Sequence, residues 1–301
     1  MRTRPATKTG KTRQIAAVAL SAILVFGLTP GPAFANLSST GAPDNLASYQ
    51  PAESKKESAV TVYVMASETS VVKGMDINET TTYTVNEKGL LVSRTATTKQ
   101  PQLTASVTTD WTYNKNNDAK NVVTSALSSS AKKTLSYTKA GALKADKQKL
   151  PYSGFKGMSA YKTRYKTKKG KVTLAKRTTD TFGTKTTTTS KFKYKNGRVA
   201  SIVNTSGTFT GTQEYSYNKK GDLVKTLTFK GAANIPITHK LTYKNGRVVK
   251  RVSTVQSDSG TSTVSKFKYK AVKVPKSLVK KVKAQQWALV NGDLNFALGT
   301  W

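Results

Sequence analysis

Hydrophobic and polar residues alternate over much of the chain between residues 79 and 270. In the segment 191–195, Phe192 and Tyr194 alternate with three lysines. Because successive side chains of a β-strand point to opposite faces, this pattern predicts strands with one aromatic or aliphatic face and one basic face. The elements predicted for this region are therefore β-strands.

The alternating segments recur as a repeat. Each copy has an apolar or aromatic residue, one intervening residue, a tyrosine, a short polar turn that usually contains glycine, and an aliphatic stretch. Asn-Gly at Gly197 and at Gly246 favours a two-residue hairpin turn, and the turn that contains Gly221 suits a longer loop. Recurrence every 23 to 30 residues indicates repeated supersecondary units, whose tyrosines are Tyr83, Tyr113, Tyr137, Tyr165, Tyr194, Tyr217, Tyr243 and Tyr269.

Each unit is predicted to be a β-hairpin. About eight hairpins, with a further strand at residues 59–66, predict an all-β antiparallel meander over residues 59–270. We expect a long, curved sheet that is open or forms a half-barrel. The repeat tyrosines are expected to pack across neighbouring strands on its apolar face.

One copy of the repeat carries a recognisable motif. Tyr215, Tyr217, Asn218, Gly221 and Leu223 form the pattern YxYNxxGxL, which resembles the YD (Rhs-type) repeats of bacterial cell-surface and secreted proteins. The resemblance covers residues 79–270 and implies a long curling β-sheet, which in large members of that family closes into a shell around a toxin. Eight short units are too few for such a passenger. Asn, Thr or Lys replaces the usual Asp after the second Tyr, so the resemblance implies architecture more than shared function.

The N-terminal residues 1–35 have the features of a secretory signal peptide. Five basic residues precede an uncharged run from Ile15 to Leu28, and small residues follow at Ala33 and Ala35. Cleavage after Ala35 leaves a mature chain in which residues 36–58, rich in Ser, Ala and Pro, are expected to form a flexible lead.

The repeat pattern changes after Pro275. Residues 271–301 are predicted to be a cap made of a helix, which begins near Pro275 and ends at Asn291-Gly292, and a short strand from Asp293. We expect the helix to cover the open end of the sheet. A basic amphipathic helix that binds a membrane is the alternative interpretation.

The composition limits the possible chemistry. The chain has 301 residues with 50 Lys and Arg, 15 Asp and Glu, one His and no Cys, and its net charge is +35. The missing cysteines exclude disulfides and thiolate metal sites, and the single His239 excludes a two-histidine metal site. We find no nucleophile elbow, P-loop or dinucleotide-binding motif. A non-enzymatic protein without cofactor or metal is therefore expected.

The basic face is the predicted binding surface. Without the signal peptide the net charge is still +30, and such a face attracts polyanions through long-range electrostatics and counterion release. The expected partner is an anionic cell-envelope polymer or a host glycan. Nucleic acid fits less well, because stacking aromatics would have to lie on the basic face. The residues concerned are Lys193, Lys195, Arg198, Lys244, Arg247, Lys266, Lys268 and Lys270.

Two other functions are compatible with the pattern. The apolar face of a curved sheet could carry a lipid or a lipoprotein, or the repeats could form a structural or adhesive spacer. In each case we expect a protein of a Gram-positive bacterium that is secreted, extracellular or associated with the cell wall. No further apolar run is long enough to span a bilayer as a helix, so no stable membrane span is expected after signal cleavage.

Overall fold

A computed structural model describes most of the predicted repeat region. It covers residues 58–291 apart from 127–128, 140, 151–158, 170, 182, 231–232 and 257–260. The predicted signal peptide, the flexible lead up to residue 57 and the predicted strand at residues 293–301 lie outside the described residues.

The described residues form sixteen antiparallel strands, each hydrogen-bonded to the next along the chain. Thr, Lys and Val are the commonest residues in these strands, and the β-branched side chains of Thr and Val suit a pleated surface. The strands are β1 (Ala59–Val72), β2 (Ile77–Val85), β3 (Leu91–Gln100), β4 (Leu103–Tyr113), β5 (Ala119–Ala126), β6 (Ser129–Tyr137), β7 (Leu143–Leu150), β8 (Ser159–Lys168), β9 (Lys171–Thr181), β10 (Thr184–Lys195), β11 (Arg198–Ser206), β12 (Phe209–Tyr217), β13 (Leu223–Lys230), β14 (Ala233–Lys244), β15 (Arg247–Val255) and β16 (Ser262–Pro275).

The sheet closes on itself. β1 pairs with β16 in a ladder that runs from Ala59 opposite Pro275 to Val72 opposite Thr263. Every strand of the described chain thus has a neighbour on both sides, and the sheet is a closed barrel. The expectation of an open or half-barrel sheet is therefore wrong.

A ring of β-bulges explains the closure. Seven hairpins carry one extra residue on their second strand, directly after the repeat turn. Ala200, for example, is the residue left over between the pairs Lys193–Ser201 and Tyr194–Val199. An eighth irregularity, at Ala66 in β1, completes the ring through the pairing with β16. A bulge bends its strand and increases the local twist, so eight bulges near one end turn the sheet back on itself.

The turns at this end follow from their residues. Asn196 and Gly197 have φ of 50° and 80°, and Asn245 and Gly246 have φ of 50° and 74°, as a type I′ turn requires. In the longer turn, Asn218 Oδ1 accepts a hydrogen bond from the backbone N–H of Asp222 at 3.0 Å. This bond fixes a loop that brings Gly221 to a φ of 83°.

A helix fills the same end of the barrel. A short 3-10 helix (Lys276–Leu278) leads into α1 (Val279–Asn291). Leu289 and Val290 of α1 belong to one buried cluster with the inward-facing Trp111 and Phe267, so the helix enters the barrel instead of covering an open sheet. Among the described residues, no helix is long and apolar enough to cross a membrane.

Polar side chains of α1 bond to the backbone of the wall. Gln286 Oε1 accepts from the N–H of Met65 at 2.6 Å, and Gln285 Oε1 accepts from the N–H of Leu91 at 3.0 Å. Asn291 Oδ1 accepts from the N–H of Leu223 at 2.7 Å. These contacts reach β1, β3 and β13, so the helix is attached to separate parts of the wall. We call this the plugged end.

The opposite half of the barrel has a different interior. Along β10, the inward-facing positions read Tyr194, Phe192, Ser190, Thr188 and then Thr186 and Thr184. Phe192 is buried, Thr188 is half-buried, and the last two threonines are exposed. We call this half the Thr-rich end, and its interior is accessible to water.

Candidate functional site

The predicted basic residues lie on the outside of the barrel in two separate groups. The lysines among them are exposed and alternate with inward-facing residues such as Phe192 and Phe267. The two groups occupy β10 and β11 on one side and β14 to β16 on the other, so β12 and β13 separate them in the closed wall. One group comprises Lys193, Lys195 and Arg198, and the other comprises Lys244, Arg247, Lys266, Lys268 and Lys270.

Two of these basic side chains contact the barrel itself. Arg198 Nε donates to the carbonyl of Gly221 at 3.1 Å, and its guanidinium lies 5.9 Å from the ring centre of Tyr217. Arg247 stacks 3.8 Å from the ring centre of Tyr63. The expectation of a secreted or cell-wall protein that binds an anionic polymer through one face of an open sheet is corrected by this geometry. The sheet is a closed barrel, and the basic residues are spread over the outer wall on β10, β11, β14, β15 and β16.

The alternative functions also fail on the geometry. The apolar face that was expected to carry a lipid lies inside the barrel, where Trp111, Phe267 and Leu289 are packed together. An open apolar groove of a curved sheet is therefore absent from the described residues. An extended spacer is wrong as well, because the hairpins close in a ring.

The repeat tyrosines form a belt inside the plugged end. Five of their hydroxyls donate to a backbone carbonyl of the preceding hairpin, at the residue that directly precedes its bulge. These bonds are Tyr113 to Leu91 at 2.6 Å, Tyr137 to Ala119 at 2.9 Å, Tyr194 to Val172 at 2.7 Å, Tyr217 to Val199 at 2.9 Å and Tyr269 to Val248 at 2.7 Å.

The other three tyrosines donate to carboxylates: Tyr83 to Glu68 at 3.0 Å, Tyr243 to Asp222 at 2.6 Å, and Tyr165 to Asp146. Burial raises the phenol pKa of Tyr83 and of Tyr165. These hydroxyls therefore stay protonated and join one hairpin to the next.

A charged cluster lies on the inner wall of β6 to β9. The ladders place Lys133 opposite Gln148 and Gln148 opposite Tyr161, and they place Asp146 and Arg177 on either side of Thr163. Lys133 Nζ lies 5.9 Å and the Arg177 guanidinium 4.5 Å from the ring centre of Tyr161. We call Lys133, Asp146, Gln148, Tyr161 and Arg177 the inner-wall cluster.

The members of the inner-wall cluster are held in place by hydrogen bonds. The Tyr161 hydroxyl donates to Gln148 Oε1 at 2.6 Å, and Arg177 Nε donates to Thr163 Oγ1 at 3.2 Å. Asp146 is 3% exposed, and its Oδ2 accepts from Tyr165. Its Oδ1 is buried without a hydrogen-bond partner among the described residues. Burial lowers the pKa of Lys133, and the nearby Asp146 opposes that shift.

The opposite inner wall also carries charges, but they are paired. Arg251 lies 3.7 Å from Glu68, and Arg94 lies 3.6 Å from Glu79. His239 Nδ1 lies 2.9 Å from Ser253 Oγ. Burial, with a smaller contribution from Arg251, lowers the pKa of His239 to about 4. This imidazole is therefore neutral at pH 7.

The inner-wall cluster was not predicted from the sequence. The predicted inward face included the tyrosine of each repeat but not the alternate positions that precede it on the same strand. Lys133 lies four residues before Tyr137, and Tyr161 lies four residues before Tyr165, so each is on the same strand face as the repeat tyrosine. The signal was therefore a charged residue at an inward position of a strand.

No group of three or more His, Cys, Asp or Glu side chains that could hold a metal occurs among the described residues. The inner-wall cluster has a single carboxylate, Asp146, and offers cationic and amide groups otherwise. Its chemistry is that of a site for an anion.

The expectation about membrane spans needs a correction. It considered apolar helices alone, and a closed antiparallel barrel also satisfies all backbone hydrogen bonds within a bilayer. The conclusion that nothing spans a membrane was therefore wrong as drawn. Transmembrane barrels additionally need an outward apolar band about 25 Å tall, whereas β10 presents Lys185, Thr187, Thr189, Lys191, Lys193 and Lys195 outwards. The wall meets the first requirement and lacks the second on this strand.

Comparisons with known proteins add little to this picture. No protein-family model matches the chain, and no curated protein matches its sequence. Among solved structures, the chain is similar to a porin-like protein from Bacteroides uniformis, with 12% identity and a TM-score of 0.49, over 68% of this chain and 98% of that one. The class defined by the fold and its interior is a closed β-barrel that is plugged at one end and less densely packed inside the other.

Proposed function

We propose that the barrel is a receptacle that holds a small polar solute inside its Thr-rich end. One observation carries this proposal: along a single face of a single strand, the interior changes from the buried Phe192 to the half-buried Thr188 and the exposed Thr186. A wall whose interior is packed and plugged at one end and exposed at the other forms a blind cavity that opens at the Thr-rich end.

The number of strands supports this interpretation. Closed barrels of about 16 strands enclose more space than wall side chains fill. At the plugged end α1 occupies that space, and its last turn accepts a hydrogen bond from Arg251 at the Val290 carbonyl, 2.6 Å away. Beyond the helix, the inward-facing Asn204, Gln213 and Ser253 are half-buried, and each can bond to water or to a solute.

Cysteine accessibility tests the receptacle. The chain has no cysteine, so single-cysteine variants report one position each. Thr188→Cys faces inwards, and its neighbour Thr187→Cys faces outwards as a matched control. We expect a small charged maleimide to modify both variants and a protein-sized maleimide conjugate to modify the outer one alone. An unreactive Thr188→Cys, or equal modification of both by the large reagent, would overturn the proposal.

A second candidate function is a barrel inserted in a membrane. The observation that favours it is the closure of the wall between β1 and β16, because closure removes unpaired edges. Lysines facing lipid at the bilayer midplane would each cost about 2 to 4 kcal/mol. Flotation of the purified protein with lipid vesicles in 1 M salt as an assay condition, which screens surface charge, separates the two functions. Co-flotation supports insertion, and recovery in the aqueous fraction supports the receptacle.

We also propose that the hairpins are divergent YD-type units and that the protein is exported and acts by binding. The shared place of the tyrosines, each inside the plugged end, supports a repeat origin. The features of residues 1–35 support export to the cell envelope. The hydroxyls of the repeat tyrosines are engaged in structural hydrogen bonds, which supports binding over catalysis.

A further inference from the structure

The inner-wall cluster has the composition of an anion site. It places two cations, Lys133 and Arg177, beside the same tyrosine ring. The carboxylate of Asp146 compensates one of these charges, and a positive charge remains. Because the cluster lies inside a low-dielectric wall, that charge attracts an anion more strongly than an exposed lysine does.

The donors of the cluster lie around one side chain, Tyr161. The Tyr161 hydroxyl donates a hydrogen bond to Gln148 Oε1, so Gln148 can donate from its amide N–H groups to a ligand. The ladders hold Lys133 and Tyr161 on either side of Gln148 on the same face of the wall. An ammonium, an amide and a guanidinium are all donors, and together they favour an oxyanion.

Asp146 adds a restriction on the oxyanion. Its Oδ1 is a buried acceptor without a partner among the described residues, and a buried carboxylate oxygen needs a donor. The cations of the cluster can donate hydrogen bonds to the oxygens of a ligand. The unpartnered acceptor Asp146 Oδ1 favours a ligand that carries an O–H group of its own. Inorganic phosphate carries such a group at neutral pH, because the free ion still holds its third proton after the second ionisation, whose pKa is about 6 for a phosphate group. Sulfate has none.

We propose that the inner-wall cluster binds a phosphate group and distinguishes it from sulfate through Asp146. This inference rests on the receptacle proposed above, because the ligand has to enter through the Thr-rich end. Lys133, Gln148 and Arg177 donate to the phosphate oxygens, and the phosphate O–H donates to Asp146 Oδ1. A free phosphate ion has this chemistry. A phosphate monoester, whose second pKa is about 6, is mostly a dianion without a phosphate O–H at neutral pH.

Calorimetric titration of the full chain with inorganic phosphate, and separately with sulfate, tests the site. We expect binding of phosphate and at least about tenfold weaker binding of sulfate, since a lost charge-assisted hydrogen bond is worth that factor or more. Lys133→Met keeps the length of the side chain and is expected to weaken phosphate binding at least about tenfold. Lys147→Met, on the outward face of the adjoining strand β7, is the matched control and should leave the affinity unchanged.

Asp146→Asn tests the selectivity. The amide can still accept from Tyr165 and can donate to sulfate, so the preference for phosphate should fall to within about threefold. An unchanged preference in this variant would overturn the role of Asp146. Glycerol phosphate should bind more weakly than inorganic phosphate at neutral pH, because its phosphate group has lost the O–H that Asp146 Oδ1 would accept. Tighter binding of glycerol phosphate would contradict the role of Asp146.

Two results would overturn the site as a whole: no heat of binding with phosphate, or equal losses in Lys133→Met and Lys147→Met. Circular dichroism of each variant shows whether a loss reflects misfolding, and Gln148→Leu provides a second uncharged variant if Lys133→Met fails to fold. If Thr188→Cys reacts with the small maleimide but phosphate does not bind, this inference fails and the receptacle stands. If Thr188→Cys is unreactive, both fail.

Discussion

The two ends of the barrel differ in what holds the wall together. At the plugged end the interior is packed with Trp111, Phe192 and α1, and tyrosine hydroxyls join one hairpin to the next. At the Thr-rich end the inward-facing side chains are less buried, and they include exposed threonines such as Thr186 together with half-buried apolar residues such as Ile237 and Val255. One sheet thus has a stabilising half and an accessible half, and the accessible half carries the proposed function.

Matched truncations on β10 should break this comparison most strongly. Phe192→Ala removes a side chain that is 6% exposed and packs with Val199 and Ile202, so we expect a loss of about 3 to 5 kcal/mol in unfolding free energy. Thr188→Ala, on the same face near the Thr-rich end, should cost less than about 1 kcal/mol. Urea denaturation measures both. Similar losses would show that the two ends are equally important for stability.

The pH dependence of unfolding probes the boundary between the two halves. The pKa of His239 is lowered to about 4 in the fold and is about 6.5 in an unfolded chain. Between these pH values the unfolded state therefore binds more protons than the folded state. The contribution of the neutral imidazole to the unfolding free energy is fully present above pH 6.5 and is lost as the pH falls towards 4. We expect a loss of about 2 kcal/mol between pH 7.5 and pH 5.

His239→Gln supplies the control for this titration. The variant should lose much of the pH dependence in denaturation curves recorded across the same interval, because the amide does not titrate. A slope equal to that of the unaltered chain would assign the effect to carboxylates instead. The result would sharpen the comparison by showing whether a polar interior position still excludes water from an imidazole.

Removing one hydroxyl of the tyrosine belt should have a smaller effect. Tyr137→Phe keeps the ring but leaves the carbonyl of Ala119 without the 2.9 Å bond. We expect a loss of about 1 to 2 kcal/mol in thermal or urea unfolding. Tyr63→Phe serves as the control, since Tyr63 is exposed on the outer wall and should change stability by less than about 0.5 kcal/mol. Equal effects would mean that the belt does not stabilise the plugged end.

The smallest effect is expected at a turn of the plugged end. Gly246 has a φ of 74°, and nothing lies within 4 Å of an added Cβ. Gly246→Ala should therefore cost about 1 kcal/mol from backbone strain alone, and Gly246→Asn should cost less because asparagine tolerates this conformation. Urea unfolding of the two variants gives the order, and a larger loss for Asn would argue against strain as the cause.

The hairpins could be predicted from the sequence, but their assembly into a closed barrel could not. Asn196-Gly197 specifies a turn through local backbone preferences, and Tyr194 marks the face that points inwards. Closure depends on residues such as Ala200, which resembles an ordinary strand residue. A signal was nevertheless present, because the buried Val199 and Ile202 are three positions apart where alternation alone would separate them by two or four. Such a break indicates a bulge.

The inner-wall cluster was harder to predict for another reason. Lys133, Asp146 and Arg177 are spread over 45 residues of sequence. Their proximity depends on the register of three successive strand pairs, β6–β7, β7–β8 and β8–β9. Register follows from the lengths of the turns at both ends of the barrel and from each bulge. The basic outer residues could be predicted because they are close together along single strands. Which residues of different strands are neighbours in the wall could not be predicted from the sequence.

The pairing of β1 with β16 has a consequence for the order of assembly. Ala59 and Pro275 are neighbours in this ladder, although almost the whole described chain lies between them. Interior hairpins can form while the chain is still being synthesised or exported, but the ring waits for its last strand. Until then two strand edges are unpaired and open to aggregation, and the long loop makes closure slow. Because α1 follows β16 directly, the event that seals the ring also delivers the plug.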